Sequence, residues 1–384
     1  MRSNKSVCIV GPSKRFLSGI SYYTIRLANA MSAEKNVSVV CFRQLLPTSL
    51  FPGKSHVGKN ISDLNFLPGI PVFDGMDYNN PLTWVQAYQF LKAQKPDIII
   101  LQWWTSSVAH MQLLLKLFAG LLHKPKIIIE FHEVVDPFEE SILPIRIYSK
   151  AAGKLLRKNL DAYITHSESD KELIAKRYSI SPEKIHVIPH GLYDQYGDLL
   201  DIKEARRSLS IKDNFVILSF GLIRRYKGIP YLIRAFEQLP PEILEKSRLL
   251  IVGEIWEDRK ELLDQIKASP SYNRITLINE YIPDDKVNLY FSAADVVVLP
   301  YLRASQSGIA HIAMSFGKPV IVSEVGGLKE SMAKYKGTFF VPPGDVDSIR
   351  NAILSKFGKR EHYEAPDQKW DKIINCYIEL IQSV

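Results

Sequence analysis

The chain has 384 residues, of which 49 are Lys or Arg and 41 are Asp or Glu, so its formal net charge is +8 at pH 7. This length predicts about two domains. The positive charge favours an anionic partner such as a nucleoside diphosphate, an acidic lipid or a nucleic acid. Cys8, Cys41 and Cys376 lie far apart without metal-ligand spacing, which argues against structural zinc and a disulfide framework and indicates a reducing compartment.

Strands and helices alternate from the start of the chain. Val7 to Val10 is predicted as a strand, Ile20 to Met31 as a helix and Val37 to Phe42 as a second strand. This order predicts a parallel sheet with the turn-rich loop Gly11 to Gly19 at its ligand edge. The loop lacks the GxGxxG fingerprint of dinucleotide-binding proteins, but Gly19 would allow a ligand close to the backbone. A plain βα turn is the alternative.

The next part of the chain is predicted to continue the same pattern. Leu45 to Asn80 reads as irregular, whereas Asn80 is expected to cap a helix from Pro81 to Gln94. The run KIIIEF from Lys126 to Phe131 is expected to be a buried strand that ends in His132. A histidine at a strand end is suited to contact a substrate hydroxyl or a departing charge, although a core histidine is the alternative.

A basic stretch without acidic residues runs from Ile142 to Asn159. Basic side chains recur on one helical face, while Ile147, Ala151 and Leu155 follow a neighbouring one. A basic amphipathic helix can lie on an anionic membrane, or it can simply present a solvated face. The candidate residues for the acceptor side or a membrane are Arg146, Lys150, Lys154, Arg157 and Lys158. The most apolar helix, Val108 to Leu122, is interrupted by His110 and Lys116 and falls short of the roughly 20 apolar residues of a membrane span.

A second βα series is predicted after a polar linker at 194–213. The strand Phe215 to Phe220 leads into GLIRRYKG, residues 221–228, where Gly221 ends the strand. Arg224 and Lys227 then stand at the expected sheet edge. Arginine can bind a diphosphate in a bidentate way and lysine can bind it as a point charge. The loops at Gly253 and Ile282 are suited to seat a nucleotide base through backbone contacts.

The strand 295–300 is followed by a short polar loop and a predicted helix. The loop residues are Ser305, Gln306, Ser307 and Gly308, and the helix is expected to begin at Ile309. Helix N-termini bind phosphate because their first N–H groups are unpaired and the helix dipole is positive there. The alternative is an ordinary capped helix. Asp345 and Asp347 resemble a metal-binding DxD pair, but helix capping explains them better.

Six segments together resemble glycosyltransferase family 4. They are SGISYYTIRLANAM at 18–31, FHE at 131–133, HSE at 166–168, GLIRRYKG at 221–228, QSGIAHIAMSFGKPVI at 306–321 and VGGLKE at 325–330. The resemblance implies an α/β protein of the GT-B fold, with two Rossmann-like domains facing a central cleft and a C-terminal helix that crosses back to the first domain. The expected domains are residues 1–193 with helix 366–384, and residues 194–365.

The resemblance also implies roles for individual residues. Lys227 matches the family's diphosphate lysine, and Arg224 substitutes for an arginine whose usual position holds Leu222. His132 matches the histidine near the reacting sugar and Gly19 the glycine loop of the first domain. The segment from Ser307 to Ile309 matches the loop and helix start that hold the phosphates.

One departure from the family pattern concerns its E-x7-E pair, which would fall on Ser305 and Ala313. Neither residue is acidic, although Gln306 can supply replacement hydrogen bonds. The expected function is retaining transfer of a sugar from a nucleoside-diphosphate sugar to an acceptor glycan or lipid-linked acceptor, without metal or other cofactor. The expected location is cytoplasmic, with peripheral contact to the inner face of an anionic membrane. The alternative is a catalytically silent protein that binds a nucleotide sugar or a partner; a nucleic-acid partner is not expected, because no aromatic-basic module is present.

Overall fold

The computed structural model describes residues 5–15, 19–45, 64–140 and 142–384. These divide into two compact units, residues 1–191 with 368–384 and residues 192–367. The strands are β1 Val7–Pro12, β2 Val37–Gln44, β3 Val72–Asp77, β4 Ile98–Trp103, β5 Lys126–Phe131, β6 Ala162–Thr165, β7 Ile185–Val187, β8 Phe215–Phe220, β9 Ser247–Val252, β10 Ile275–Ile278, β11 Val296–Leu299, β12 Val320–Ser323 and β13 Thr338–Val341. The helices are α1 Gly19–Met31, α2 Pro81–Gln94, α3 Ala109–Leu121, α4 Leu143–Arg157, α5 Glu168–Tyr178, α6 Ile202–Ser208, α7 Ile229–Glu237, α8 Pro241–Leu244, α9 Arg259–Ala268, α10 Asp284–Ala293, α11 Gly308–Ser315, α12 Gly326–Met332, α13 Val346–Lys356 and α14 Trp370–Ser383.

The first unit is built on a seven-stranded sheet of order β3-β2-β1-β4-β5-β6-β7, in which every pair is parallel. Alternate residues of each strand enter two different cores. Ile127 and Ile129 of β5 join one core with side chains of α3, whereas Ile128 joins the other with α1 and α14. Side chains on a strand alternate between faces, so Glu130 shares the face of Ile128.

Helix α14 belongs to the first unit, although it is the last element of the chain. Its buried face packs with α1 and comprises Trp370, Ile373, Ile374, Tyr377, Leu380 and Ile381. Each large apolar side chain of this kind contributes about 1.5–3 kcal/mol when fully buried. The helix therefore covers one face of the first sheet, and the prediction of a C-terminal helix returning to the first domain is confirmed.

The second unit has a six-stranded sheet of order β10-β9-β8-β11-β12-β13, again entirely parallel. The prediction of two Rossmann-like domains is therefore confirmed. Two local predictions are wrong. The stretch 194–213 was expected to be a linker, but it contains α6, which Asp201 caps by accepting from the N–H groups of Lys203 and Glu204.

The other wrong prediction concerns the stretch 45–80, which is expected to be irregular. Residues 46–63 lie outside the described residues, and the remainder contains β3. The alternating pattern is weak there because β3, with the sequence VFDGMD, is an edge strand with polar residues and a glycine. Helix α2, by contrast, has its predicted bounds and its predicted cap, with the Asn80 side chain accepting from the N–H of Leu82. Asp345 likewise caps α13 by accepting from the N–H of Ser348, which confirms the capping interpretation.

Candidate active-site residues

The carboxyl ends of β8 and β11 lie side by side in the second sheet, and the candidate phosphate-binding segments follow them directly. Gly221, just after β8, has φ +98°, a conformation that favours glycine. A Cβ atom there would lie 3.0 Å from side-chain carbons of Ile309 and 3.1 Å from Nζ of Lys227. The Lys227 ammonium and the start of α11 thus converge on the Gly221 backbone.

Lys227 is held in place by the tight turn that follows it. Gly228 has φ +66°, and a Cβ atom at this position would stand 2.0 Å from the carbonyl oxygen of Pro300. The Lys227 side chain is buried, and its Nζ lies 5.3 Å from the centre of the Tyr301 ring. Burial lowers the pKa of Lys227; the electrostatic effect of Tyr226 raises it and that of Arg224 lowers it. In the described part of the chain, no carboxylate forms an ion pair with this ammonium, which leaves its charge available to an anion.

Ser307 caps α11 and connects it to Tyr301. Its Oγ accepts a hydrogen bond from the N–H of Ala310 at 3.3 Å and lies 3.2 Å from the hydroxyl of Tyr301. Burial raises the pKa of Tyr301 to about 12, so the phenol remains protonated at neutral pH. Other N–H groups of the first helical turn have no acceptor within the helix. Such a helix start is suited to bind a phosphate oxygen.

Gln306 is the polar side chain just before this helix start. Both atoms of its amide are buried, and neither has a hydrogen-bond partner. A buried amide without a partner costs roughly 1–3 kcal/mol. A ligand that pairs with both atoms would remove this cost. Ser305 and Gly308, the other two residues of the loop, are both partly exposed.

The remaining candidate residues of the second unit are Arg224, Gly253 and Ile282. The Arg224 guanidinium stacks 4.7 Å from the centre of the Trp256 ring, whose indole N–H donates to Glu254. Gly253 packs its backbone against Gly221, since a Cβ atom there would stand 2.1 Å from the Gly221 carbonyl oxygen. The side chain of Ile282 is buried, so this position offers only its backbone to a ligand.

The first unit places His132 directly after β5, as the sequence predicts. His132 is buried, and its Nε2 contacts Oε1 of Gln102, which lies on the adjacent strand β4. Because an amide oxygen accepts, this contact assigns the ring proton to Nε2. Burial, followed by the neighbouring charge of His166, holds the pKa of His132 well below its ordinary 6.5. The ring is therefore neutral at pH 7, with Nδ1 as its acceptor.

A buried network that the sequence interpretation missed supports His132. The Gln102 amide nitrogen donates to Oε2 of Glu130 at 2.6 Å, and Gln102 and Glu130 are direct neighbours in the parallel register of β4 and β5. The other carboxylate oxygen, Oε1, accepts from the hydroxyl of Tyr23 at 2.8 Å and from that of Tyr377. The only signal in the sequence was a glutamate within the apolar run KIIIEF.

Glu130 and His166 face each other within this network. His166 donates through Nδ1 to the carbonyl oxygen of Ile188 at 2.9 Å, and its Nε2 lies 3.7 Å from Oε1 of Glu130. Burial raises the pKa of Glu130 to about 7, against the lowering effect of its three hydrogen bonds. Burial also lowers the pKa of His166 to about 4, against the raising effect of its bond to Ile188. The carboxyl group thus titrates near neutrality while His166 stays uncharged.

Glu130, His132 and His166 offer ligand atoms within 4.8 Å of one another, close enough to hold a metal ion. However, both carboxylate oxygens already accept hydrogen bonds from Tyr23, Gln102 and Tyr377. A metal ion would have to displace these donors, so the arrangement fits a hydrogen-bonded network better than a metal centre. Gly19, the remaining candidate of this unit, is the exposed first residue of α1; residues 16–18 before it lie outside the described residues.

Helix α4 carries the predicted basic residues on more than one face. Arg146, Lys150, Lys154 and Lys158 are exposed. Arg157, which the sequence places beside these residues, is not exposed with them: only 7% of the residue is exposed, because its guanidinium lies 3.7 Å from the centre of the Tyr178 ring. Ile147 and Leu155 remain exposed at 59% and 58%. The outer surface of α4 is therefore both apolar and basic.

Two all-parallel sheets with candidate residues at their carboxyl edges are typical of the GT-B fold. A solved structure with this fold is that of the Anabaena protein HepE in complex with UDP and glucose. It is 18% identical, has a TM-score of 0.72, and the match covers 99% of this chain and all of the other. At this identity the likeness shows the fold alone.

Two glycosyltransferase family models, each for a different part of the sequence, together match most of the chain. The model for Glycosyltransferase Family 4 matches residues 17–195, and that for Glycosyl transferases group 1 matches residues 201–370. These families are sugar transferases, so the family predicted from the sequence is confirmed.

Two curated relatives are named as glycosyltransferases. An uncharacterised glycosyltransferase of Methanocaldococcus jannaschii is 32% identical over 235 residues, which are 56% of this chain and 59% of the relative. A D-inositol 3-phosphate glycosyltransferase of Pseudarthrobacter chlorophenolicus is 24% identical over 345 residues, 84% of this chain and 77% of the relative. The first match thus spans less than two thirds of its relative's length.

Proposed function

We propose that this protein is a retaining glycosyltransferase that moves a sugar from a nucleoside-diphosphate sugar to an acceptor hydroxyl. The observation that carries this proposal is the convergence of Lys227, Ile309 and the Gly221 backbone beside the capped start of α11. In the reaction, the bond between the anomeric carbon and the diphosphate breaks and the diphosphate leaves with the electron pair. The acceptor oxygen forms the new bond to the anomeric carbon, and its proton passes to the departing diphosphate.

The diphosphate gains negative charge as it leaves, and the second unit is suited to stabilise this charge. Lys227 supplies an ammonium and the first turn of α11 supplies N–H donors. Arg224 adds a second cation along the same loop. Electrostatic stabilisation by preorganised groups of this kind is usually the largest single contribution to catalysis. The proposal assigns this task to protein cations and backbone amides and requires no metal ion or other cofactor.

His132 is the proposed catalytic group of the first unit. Since its ring is neutral, with the proton on Nε2, its role is to position a substrate hydroxyl or to accept a hydrogen bond through Nδ1. This refines the expectation that the histidine positions or protonates near the sugar. No covalent nucleophile is proposed, because Ser305 and Ala313 occupy the positions where the family has carboxylates.

An acceptor presented at a membrane fits the outer surface of α4, and we include it in the proposal. The exposed Ile147 and Leu155 alternate with Arg146, Lys150 and Lys154, so the helix can bury apolar side chains while it neutralises acidic headgroups. No helix in the described ranges is long and apolar enough to cross a bilayer. The proposed location is the cytoplasm, at the inner face of an anionic membrane. Co-sedimentation that does not depend on vesicle charge would refute this part.

The donor site is tested by thermal-shift measurements with UDP, GDP and ADP sugars. A ligand at 100 times its dissociation constant stabilises the fold by about 2.7 kcal/mol. We expect one nucleotide class to raise the melting temperature of the wild type, and we expect Lys227→Met to remove this shift and to slow transfer by about 10²-fold or more. The matched control is Lys334→Met, an exposed lysine of the same unit. Equal transfer rates in the two variants would refute the assignment.

The alternative is a catalytically silent protein, and the absence of the carboxylate pair at Ser305 and Ala313 favours it. Transfer and donor-hydrolysis assays over a panel of sugar and lipid acceptors separate the two functions. A donor that binds at Lys227 without transfer or hydrolysis for any acceptor supports the silent protein.

A further inference from the structure

An open groove of ≈ 890 Å³ runs across the first unit between α4 and the segment from the end of α5 to the start of β7. Its lining contains six basic side chains and one acidic one. The acidic residue is Glu139, which forms an ion pair with Arg177. The basic residues are Lys150, Lys154, Arg157, Lys158, Arg177 and Lys184. The groove therefore carries a large excess of positive charge.

Arg157 forms the floor of the groove, and its side chain is held in place by its neighbours. Its guanidinium stacks on the ring of Tyr178, and a Cβ atom at Gly153 would come within 2.7 Å of Nη1, so the glycine makes room for it. Nη1 is buried and has no hydrogen-bond partner. A guanidinium nitrogen that is withdrawn from water and left unpaired is costly, and a bound anion would remove that cost.

The other cations stand around this floor. Among the side chains that the structure describes, no carboxylate forms an ion pair with Lys150, Lys154, Arg157 or Lys158. The Lys184 ammonium bonds to the backbone carbonyl of Leu160 at 3.3 Å, which brings it to the α4 side of the groove. An anion in the groove would thus have positively charged side chains on several sides.

The groove is separate from the candidate catalytic group of this unit. Residues 157–160 precede β6 and residues 179–184 precede β7, so these loops belong to the amino-terminal edge of the sheet. His132 and His166 follow the carboxyl ends of β5 and β6. A ligand in the groove would therefore be held by residues other than those proposed to act on the donor sugar.

We propose that this groove binds a phosphate group, with Arg157 at its floor and Lys150, Lys154 and Lys158 at its rim. The ligand chemistry is a phosphomonoester or diphosphate, whose charge and oxygen count match an arginine surrounded by lysines. Two sources share this chemistry: a phosphorylated lipid headgroup at the surface on which α4 would lie, and a soluble phosphate compound. The site shares Lys150 and Lys154 with the membrane surface proposed for α4, but none of its residues is proposed to act on the donor.

The soluble source is tested by methyl NMR on isoleucine-labelled protein during titration with pyrophosphate. Ile180 lines the groove and Ile309 lies at the donor edge, so the two sites report separately. We expect saturable shifts at Ile180 whose dissociation constant rises about tenfold or more in the double variant Lys154→Gln/Lys158→Gln. The matched control, Lys92→Gln/Lys176→Gln, removes two exposed charges of the same unit and should change it by less than about twofold.

The lipid source is tested by co-sedimentation with vesicles of phosphatidylcholine mixed with either phosphatidic acid, a phosphomonoester, or phosphatidylglycerol, a diester. A preference for phosphatidic acid that the groove double variant loses and the control keeps supports the lipid source. Saturable shifts at Ile180 without this preference support the soluble source. Equal losses in both double variants would show only a diffuse charge effect and overturn the proposal. So would the absence of both saturable shifts and headgroup preference in the wild type.

Discussion

At the carboxyl edge of the first sheet, His132, Gln102, Glu130 and Tyr377 hydrogen-bond to one another, whereas at the edge of the second sheet Gln306 has no partner for its amide. Lys227 in the second unit similarly has no carboxylate partner among the described side chains. The first edge is thus mostly hydrogen-bonded within itself and close to neutral, with Nε2 of His166 left without a hydrogen-bond partner in the described ranges, whereas the second is cationic and incomplete. This difference fits the two tasks proposed above: orientation of one imidazole in the first unit and binding of an anion in the second.

The largest expected effect separates these tasks by their kinetics. Replacing His132 with Gln should lower the transfer rate by about 10²–10⁴-fold, since it removes a positioned catalytic imidazole. The same variant should leave the nucleotide-induced thermal shift of the wild type unchanged, in contrast to Lys227→Met. The control is His186→Gln, a half-buried histidine of β7. A His132→Gln variant that lost the nucleotide-induced thermal shift, or that kept the wild-type transfer rate, would contradict this division of tasks.

The second effect concerns the charge state of Glu130. A carboxyl group whose pKa is about 7 in the folded state and about 4.5 when unfolded destabilises the fold progressively as pH rises through this window. Relative to Glu130→Gln, the wild type should therefore lose a few kcal/mol of unfolding free energy between pH 4.5 and pH 7, at about 1.4 kcal/mol per pKa unit. Urea unfolding of both proteins at several pH values measures this difference.

The variant Tyr377→Phe is a second test of the raised pKa of Glu130. The Tyr377 hydroxyl lowers the pKa of Glu130, so its removal should raise that pKa further and extend the loss of stability to higher pH. Parallel stability curves for the wild type and Glu130→Gln would show that the carboxyl group titrates normally and that the first edge is not the neutral network described.

The smallest expected effect compares one serine cap at each edge. Ser167 caps α5 by accepting from the N–H of Asp170 at 3.1 Å, and Ser307 caps α11 in the same way. Replacing either serine with Ala should cost about 0.5–2 kcal/mol of unfolding free energy. Ser307→Ala should in addition weaken nucleotide-sugar binding measurably, because it loosens the helix start that faces the phosphates. Identical binding constants for the two variants would remove α11 from the donor site.

The sequence was sufficient for the regular elements and for the candidate residues close to strand ends. KIIIEF and FVILSF have the predicted strand bounds, because apolar runs buried on both faces leave a strong local signal. The network behind His132 could not be predicted in this way. Tyr377 and Glu130 are 247 residues apart, and only the return of α14 to the first unit brings them together. The burial of Arg157 could not be predicted for a similar reason, because Tyr178, whose ring covers it, lies on another helix.

The return of α14 to the first unit also has a consequence for synthesis on the ribosome. Residues 192–367 are complete before α14 has been made, so the second unit can fold while the first still lacks one of its two cover layers. Until Tyr377 leaves the exit tunnel, Glu130 lacks the hydrogen bond that the Tyr377 hydroxyl donates to it. A nascent chain should therefore complete its second unit, which carries the proposed donor site, before its first. A variant that lacks residues 368–384 should bind the nucleotide sugar without transferring the sugar.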